Sequence, residues 1–316
     1  MVMPNILSPT NRWRLAGFIL SATGAMLFAV KGVLIKLIYV HHVDTTTLLA
    51  LRMLFSLPVF LTVGVAEWRR RPIASRPDQR SLALAALVGM LGYYISSWLD
   101  FEGLQHIAAQ TERLILFTYP FMVLLFGRLL LGHPLRAHAI VGAGLSYAGL
   151  VVIFGLAPAP LTPAILTGCG LVLAAAASFA LYQLLAREMI VRCGPSLFTA
   201  VAMGGAGAAV LLHFALTHSV SALVLPPRAW PLIVALALFA TVVPSFLMSA
   251  GTARIGAQGT AIVSTLSPIV TIALAVVVLD EPFGVAEALG TLLVIGGVGV
   301  FSLIEARTAR TSAGGG

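Results

Sequence analysis

Long apolar runs, each interrupted by only a few polar positions, follow one another along almost the whole chain. They do not alternate at every second position, as the strands of a membrane barrel would. Runs of about 18 or more apolar residues predict transmembrane helices. In hydrocarbon the backbone must pair its own N–H and C=O groups, and a helix does so within one segment. Ten helices are predicted, over residues 15–38, 48–66, 82–104, 108–131, 135–156, 164–186, 196–217, 230–250, 257–279 and 285–304. The connections are short, so neighbours are expected as antiparallel hairpins; only residues 67–81 form a longer polar stretch. The first run carries Lys31 and Lys36 and lacks a small-residue cleavage site, so it is expected as a span and not a leader.

Composition strengthens this reading. Hydrophobic residues make up 59% of the chain and charged residues 9%, against roughly half and a quarter in soluble domains. The net charge of +8 would suit nucleic acid, but the basic residues sit in short loops between spans. The same loops set an orientation. With the N-terminus in the cytoplasm, Arg12, Arg14, Arg69, Arg70, Arg71, Arg76, Arg80, Arg128, Arg136, Arg187, Arg192, Arg254, Arg307 and Arg310 lie at or inside the cytoplasmic edge, and only Arg228 lies outside. That bias predicts both termini in the cytoplasm. Cys169 and Cys193 form neither a disulfide framework nor a metal-ligand spacing, and no cofactor is expected.

The chain also repeats itself. Shifted by 148 residues, Gly103 falls on Gly251, Ile107 on Ile255, Gln110 on Gln258, Pro120 on Pro268, Pro134 on Pro282, Gly142 on Gly290 and Gly149 on Gly297. A shift of 151 places Phe28-Ala29 over Phe179-Ala180, Lys36 over Arg187 and Lys31 over Tyr182. Matched Gly, Pro and Gln positions predict two units, residues 1–156 and 157–316. Each holds five spans, and an odd number makes the second copy enter the membrane from the opposite side. The fold class expected is therefore all-α and membrane-integral, with two inverted five-helix repeats around a central cavity. Carriers use that arrangement for alternating access.

The stretches "KLIYVHHVDTTTLLALR" from Lys36 to Arg52, Pro120, and "LDEPFGVAEALGTLLVIGGVGV" from Leu279 to Val300 carry a likeness. On them the chain resembles the drug/metabolite transporter superfamily, specifically its EamA-type bacterial members. The resemblance covers nearly the whole chain. It implies a ten-helix carrier of small metabolites in the cytoplasmic membrane, often an exporter. The position matching Glu281 in the first repeat is His133, a departure from the pattern. Glu281-Pro282 is expected to be structural, an acidic residue near a helix start followed by Pro in the first turn.

Candidate working residues follow from cost and spacing. Lys31 lies several residues inside the first span, where a charge costs roughly 2.5–3.5 kcal/mol on insertion scales and usually faces a cavity or partner. Lys36 is expected to snorkel to the outer interface. Glu112 and Arg113 open the fourth span, about 100° apart on a helix. One reading turns Glu112 toward Lys31, to bind a substrate amine or a proton, with Arg113 reaching back to Asp100 or Glu102. The plainer reading is an interfacial pair that sets helix depth.

Tyr94, Trp98 and Phe101 share a face by their spacing; Tyr94 is expected in the cavity and Phe101 in the outer aromatic belt. Ser178, Tyr182 and Gln183 offer hydrogen bonds at mid-membrane depth, for substrate or for helix contact. Pro120 and Pro268 are expected as kinks and hinges. Arg52 is expected to be structural, with Asp44 as partner. The chain has no GxxxxGK[ST] phosphate loop, which leaves a carrier driven by gradients, exchange or protons, with Glu112 first among proton sites and His106 and Asp100 behind it. Its substrate is expected to be amino acid-like or another small amphiphile. Two rivals from other classes are an intramembrane enzyme and a non-transporting scaffold or receptor. The histidines at 41–42 and in "HPLRAH" (133–138) lack ligand or base partners at useful spacing, which weakens the enzyme.

Overall fold

The structure is a computed structural model that describes residues 9–132, 137–156, 162–264 and 266–313. His133, Pro134, Arg136 and the repeat boundary at residue 157 lie outside the described residues, as do the side chains of Gln258, Arg307 and Arg310. The described residues form helices without strands: α1 Pro9–Tyr39, α2 Thr45–Arg70, α3 Gln79–Gly89, α4 Ser96–Leu104, α5 Ala109–Leu116, α6 Tyr119–Leu131, α7 Ala137–Gly155, α8 Pro163–Cys193, α9 Pro195–Thr217, α10 Ala229–Ala237, α11 Val243–Ser264, α12 Leu266–Leu279 and α13 Val285–Ala313. Among the described residues, seven stretches are long and apolar enough to cross a membrane, and three shorter apolar helices, 140–155, 266–279 and 285–301, accompany them.

Several predicted spans are interrupted or extended. The third and eighth each pass through a π turn, Met90–Ile95 between α3 and α4 and Leu238–Val242 between α10 and α11. A π turn widens the backbone ring and loosens local pairing. The fourth span is not a kinked helix but a broken one. α5 ends at Leu116, and Pro120 sits in the first turn of α6, where its missing N–H costs nothing. Pro268 is the third residue of α12, and residue 265 before it lies outside the described residues. The hydroxyl of Thr118 donates to Ile115 O at 2.7 Å across the first break.

α11 runs helically across the predicted connection after residue 250. Eight residues of straight helix would span about 12 Å, yet the hydroxyls of Thr252 and Thr260 meet at 3.0 Å. The helix therefore turns sharply between them, and the expected hairpin survives as a helical corner.

Helix pairs approach through small residues. A Cβ on Gly142 would lie 2.7 Å from Gly297 O, and one on Gly149 would lie 2.6 Å from Gly290 O. α7 and α13 thus run antiparallel at backbone contact. Gly251 of α11 meets Ser21 and Gly17 of α1, while Gly103 of α4 meets Val172 and Gly168 of α8. Gly64 faces Ala200 and Gly207 faces Leu57, which sets α2 antiparallel to α9. Such contacts are the usual currency of helix packing where lipid removes a hydrophobic drive between helices.

Candidate functional site

Two polar groupings lie inside the bundle. The first joins α1, α2, α4 and α5 near one end. Lys31 Nζ bonds Asp100 Oδ2 at 2.6 Å, and the Asp100 side chain is 2% exposed. Glu112, in the first turn of α5, is 0% exposed. Its carboxyl faces that of Asp100 within hydrogen-bonding reach. Gly32 makes the space, since a Cβ there would sit 3.2 Å from Glu112 Oε2.

Sequence reasoning brought Lys31, Glu112 and Arg113 to this place but assigned the partners differently. Asp100, not Glu112, takes Lys31. Arg113 donates to Phe28 O at 3.1 Å, because its position on α5 points it at α1 and not back toward Glu102. Lys36 is half-buried within electrostatic reach of Glu281 and Glu112, so it faces carboxylates and does not simply snorkel.

Three further expectations are corrected. Phe101 is 0% exposed, a floor beneath the cluster and not a belt residue. Arg52 Cζ lies 4.9 Å and Lys31 Nζ 5.8 Å from its ring centroid, within cation–π range. Arg52 does not meet Asp44. It donates to Tyr93 O at 3.3 Å, a carbonyl in the π turn. Asp44 instead caps α2 by accepting from Thr47 N at 2.9 Å and pairs with His218 at 3.2 Å.

Glu281 is structural in an unforeseen way. It does not serve the helix that follows it, α13, whose Glu287 accepts from Gly284 N at 2.8 Å. Asp280 adopts a left-handed φ of 52° and turns the chain toward α5. There Glu281 accepts from Ala109 N at 2.6 Å and Gln110 N at 3.1 Å, while Gln110 Nε2 donates to Pro282 O at 2.8 Å. A carboxylate at a helix N-terminus satisfies free amides and the dipole together. At the same end, Tyr39 OH meets Thr45 Oγ1 at 3.0 Å and donates to Phe101 O at 2.9 Å, and Gln105 Nε2 donates to Thr45 Oγ1 at 2.8 Å.

The second grouping is aromatic. Tyr94 OH meets His213 Nδ1 of α9 at 3.0 Å, with the Trp98 ring 6.3 Å from that imidazole. Trp98 Nε1 donates to Thr46 Oγ1 at 3.3 Å. Tyr182 donates to Tyr93 OH at 2.9 Å, and Ser178 to Leu91 O at 2.8 Å, so both hydroxyls serve helix contact. Gln183 is exposed and interacts with the Tyr119 hydroxyl. His213, Tyr93 and Tyr119 were missed in the sequence, since single polar residues on separate helices carry no spacing signal. Two grooves, of about 480 Å³ around Phe154 and Cys169 and about 220 Å³ around Met122 and Ile140, lie at the flank of α7, apart from both groupings.

A helical bundle with buried charges and discontinuous spans defines a multi-pass membrane protein of transporter type. The chain belongs to the EamA-like transporter family, whose family model matches it twice, over residues 15–155 and 166–303. It is 31% identical to the uncharacterized transporter YcbK of Bacillus subtilis over 93% of both chains, and 24% identical to YetK of the same organism over 89% of this chain and 86% of that one. A solved crystal structure, 19% identical, shares the fold with a TM-score of 0.62 over 93% of this chain and 99% of the other.

Proposed function

We propose that the protein is a secondary transporter that exports a small amphiphilic solute, amino acid-like in size, across the bacterial cytoplasmic membrane by alternating access. The contact pattern between glycines carries the reading. The sequence repeat pairs Gly142 with Gly290 and Gly149 with Gly297; in space Gly142 touches Gly297 and Gly149 touches Gly290. Exchanging the halves turns one contact into the other. The same exchange relates Gly103 against Gly168 to Gly251 against Gly17. A two-fold that swaps antiparallel helices is perpendicular to them and so lies in the membrane plane. These observations support ten spans in two inverted units, residues 1–156 and 157–316, with both termini cytoplasmic as the arginine bias indicates.

In that orientation the Glu281 clamp and the Tyr39–Thr45–Gln105 lacing lie outside, and this conformation is closed outward. The working surface comprises Lys31, Tyr94, Trp98, Glu112 and Gln183, with His213 beside Tyr94. Ser178 and Tyr182 support it from α8, and Pro120, at the break between α5 and α6, and Pro268 are the hinges. Export follows the family resemblance. The test is counterflow of radiolabelled solutes, drawn from a metabolite screen of overproducing cells, into liposomes holding the pure protein. Saturable exchange is expected; its absence for every accumulated metabolite would reject the carrier in favour of a scaffold or receptor.

A further inference from the structure

The Asp100–Glu112 pair carries a bonding deficit. Glu112 is fully buried, and neither of its carboxyl oxygens receives a hydrogen bond. Asp100 Oδ2 takes the Lys31 ammonium, but Oδ1 has no donor. None of the charged neighbours donates a hydrogen bond to Glu112. From α1, Lys31 is on Asp100, and Lys36 lies within electrostatic reach of Glu281 and Glu112. From α2, Arg52 is on Tyr93 O. From α5, Arg113 is on Phe28 O with its Nε unpartnered. From the 280–284 connection, Glu281 is spent on the α5 amides.

With both carboxyls ionised, three buried oxygens would lack any donor, a costly arrangement. One proton repairs most of it. A Glu112 O–H would donate to Asp100 Oδ1, satisfying both atoms and leaving a single acceptor unused. Two carboxyls in one dry site commonly hold one proton between them.

We infer that Asp100 and Glu112 form a proton-binding site that holds one shared proton while the protein is closed outward, and that this proton is the coupling ion. The coupling rests on the carrier reading; occupancy of the site does not. The site also has a release route. Glu112 lies three residues after Ala109, whose amide the Glu281 clamp holds. Loosening the clamp lets water reach α5, the Glu112 O–H bond breaks, the proton passes to water, and the carboxylate left behind faces Lys31 and Lys36.

Infrared spectroscopy of the purified protein in lipid discs tests this directly. At neutral pH the wild type should show the carbonyl stretch of a protonated buried carboxyl, shifting in D2O. Glu112→Gln should lose it, and Asp100→Asn should lose or displace it. Glu112→Asp, the gentlest change, should keep it at a displaced frequency and guards against a folding failure. A wild type without such a band, or Glu112→Gln with the wild-type band intact, overturns the site. A wild type that shows the band but drives no counterflow rejects the carrier and leaves the proton site standing. Counterflow unaffected by a pH gradient, with the band present, overturns the coupling.

Discussion

The stretches Gln79–Leu104 and Ala229–Ile255 share a backbone plan and part company in chemistry. Both pass through a π turn, at Met90–Ile95 and Leu238–Val242, and both then press a glycine, Gly103 or Gly251, onto a neighbouring helix. In the first, the loosened carbonyls are taken from outside: Leu91 O by Ser178 and Tyr93 O by Arg52. In the second, repair is local, with Thr241 donating to Leu236 O at 2.9 Å and Ser245 to Thr241 O at 2.6 Å. Asp100 in the first faces Lys31; its counterpart Met248 packs beside Gly24. A common frame thus needs only small residues and a widened turn, while buried charge was placed on one copy. Charge that packing alone does not require is where binding is expected.

The most damaging way to break this comparison is to take the charge from the first stretch at one residue. Asp100→Ala strands Lys31 in the interior, and removing one member of a buried pair costs about 3–5 kcal/mol. A large drop in thermal stability in lipid discs is expected. The double variant Lys31→Met with Asp100→Met removes both charges, and should recover most of that stability without recovering transport. Equal instability of single and double variants would show that the pair does not behave as a unit.

Next in size is the shared frame. A Cβ on Gly297 would lie 2.4 Å from Gly142 O, whereas one on Gly144 meets nothing within 4 Å. Gly297→Ala should destabilise by about 1–3 kcal/mol, as overpacking does. Gly144→Ala should be neutral or slightly stabilising, because alanine favours helix over glycine by about 1 kcal/mol. The difference between their melting temperatures is the readout.

A smaller effect is expected from Glu281→Gln. It keeps the shape of the cap but loses the charge–dipole contribution, roughly 0.3–1 kcal/mol. Its clearer signature is access: a cysteine at Thr111 should react faster with a membrane-impermeant thiol reagent in the variant.

The effect that fades with acid sits at Asp44. Burial works against its ionisation, but the Thr47 amide, His218 and the Thr46 amide together hold the carboxyl below its ordinary value. A depressed carboxyl contributes stability above its unfolded pKa of about 3.9 and loses it as pH falls through the lower folded value. Asp44→Ala should cost about 1 kcal/mol as a lost cap, and the gap from wild type should close on acidification below that range.

Much of this was legible in the sequence. Long apolar runs announced the membrane class, and glycines, prolines and Gln110 matched across the chain announced an internal repeat. Pro120 marked a real discontinuity, although the chain breaks there instead of bending. Lys31, Glu112 and Arg113 were singled out because intramembrane charge is expensive, and all three lie in one cluster. Their pairing was not legible. Asp100 lies 69 residues from Lys31, and nothing local prefers it to Glu112. Phe101 looked like a belt residue because it lies near a span end, but its ring is the floor under two cations. Glu281 looked like a cap for its own helix, but reaches an amide 172 residues earlier.

By itself the sequence determined the solvent and most of the elements, because hydrophobic transfer and backbone pairing are decided within each segment. Only the tertiary structure decided which charge meets which, whose carbonyls the π turns hand over, and which helix Glu281 caps. Those outcomes depend on distances between segments far apart in the chain, and in a dry interior a few ångströms separate a satisfied charge from a stranded one.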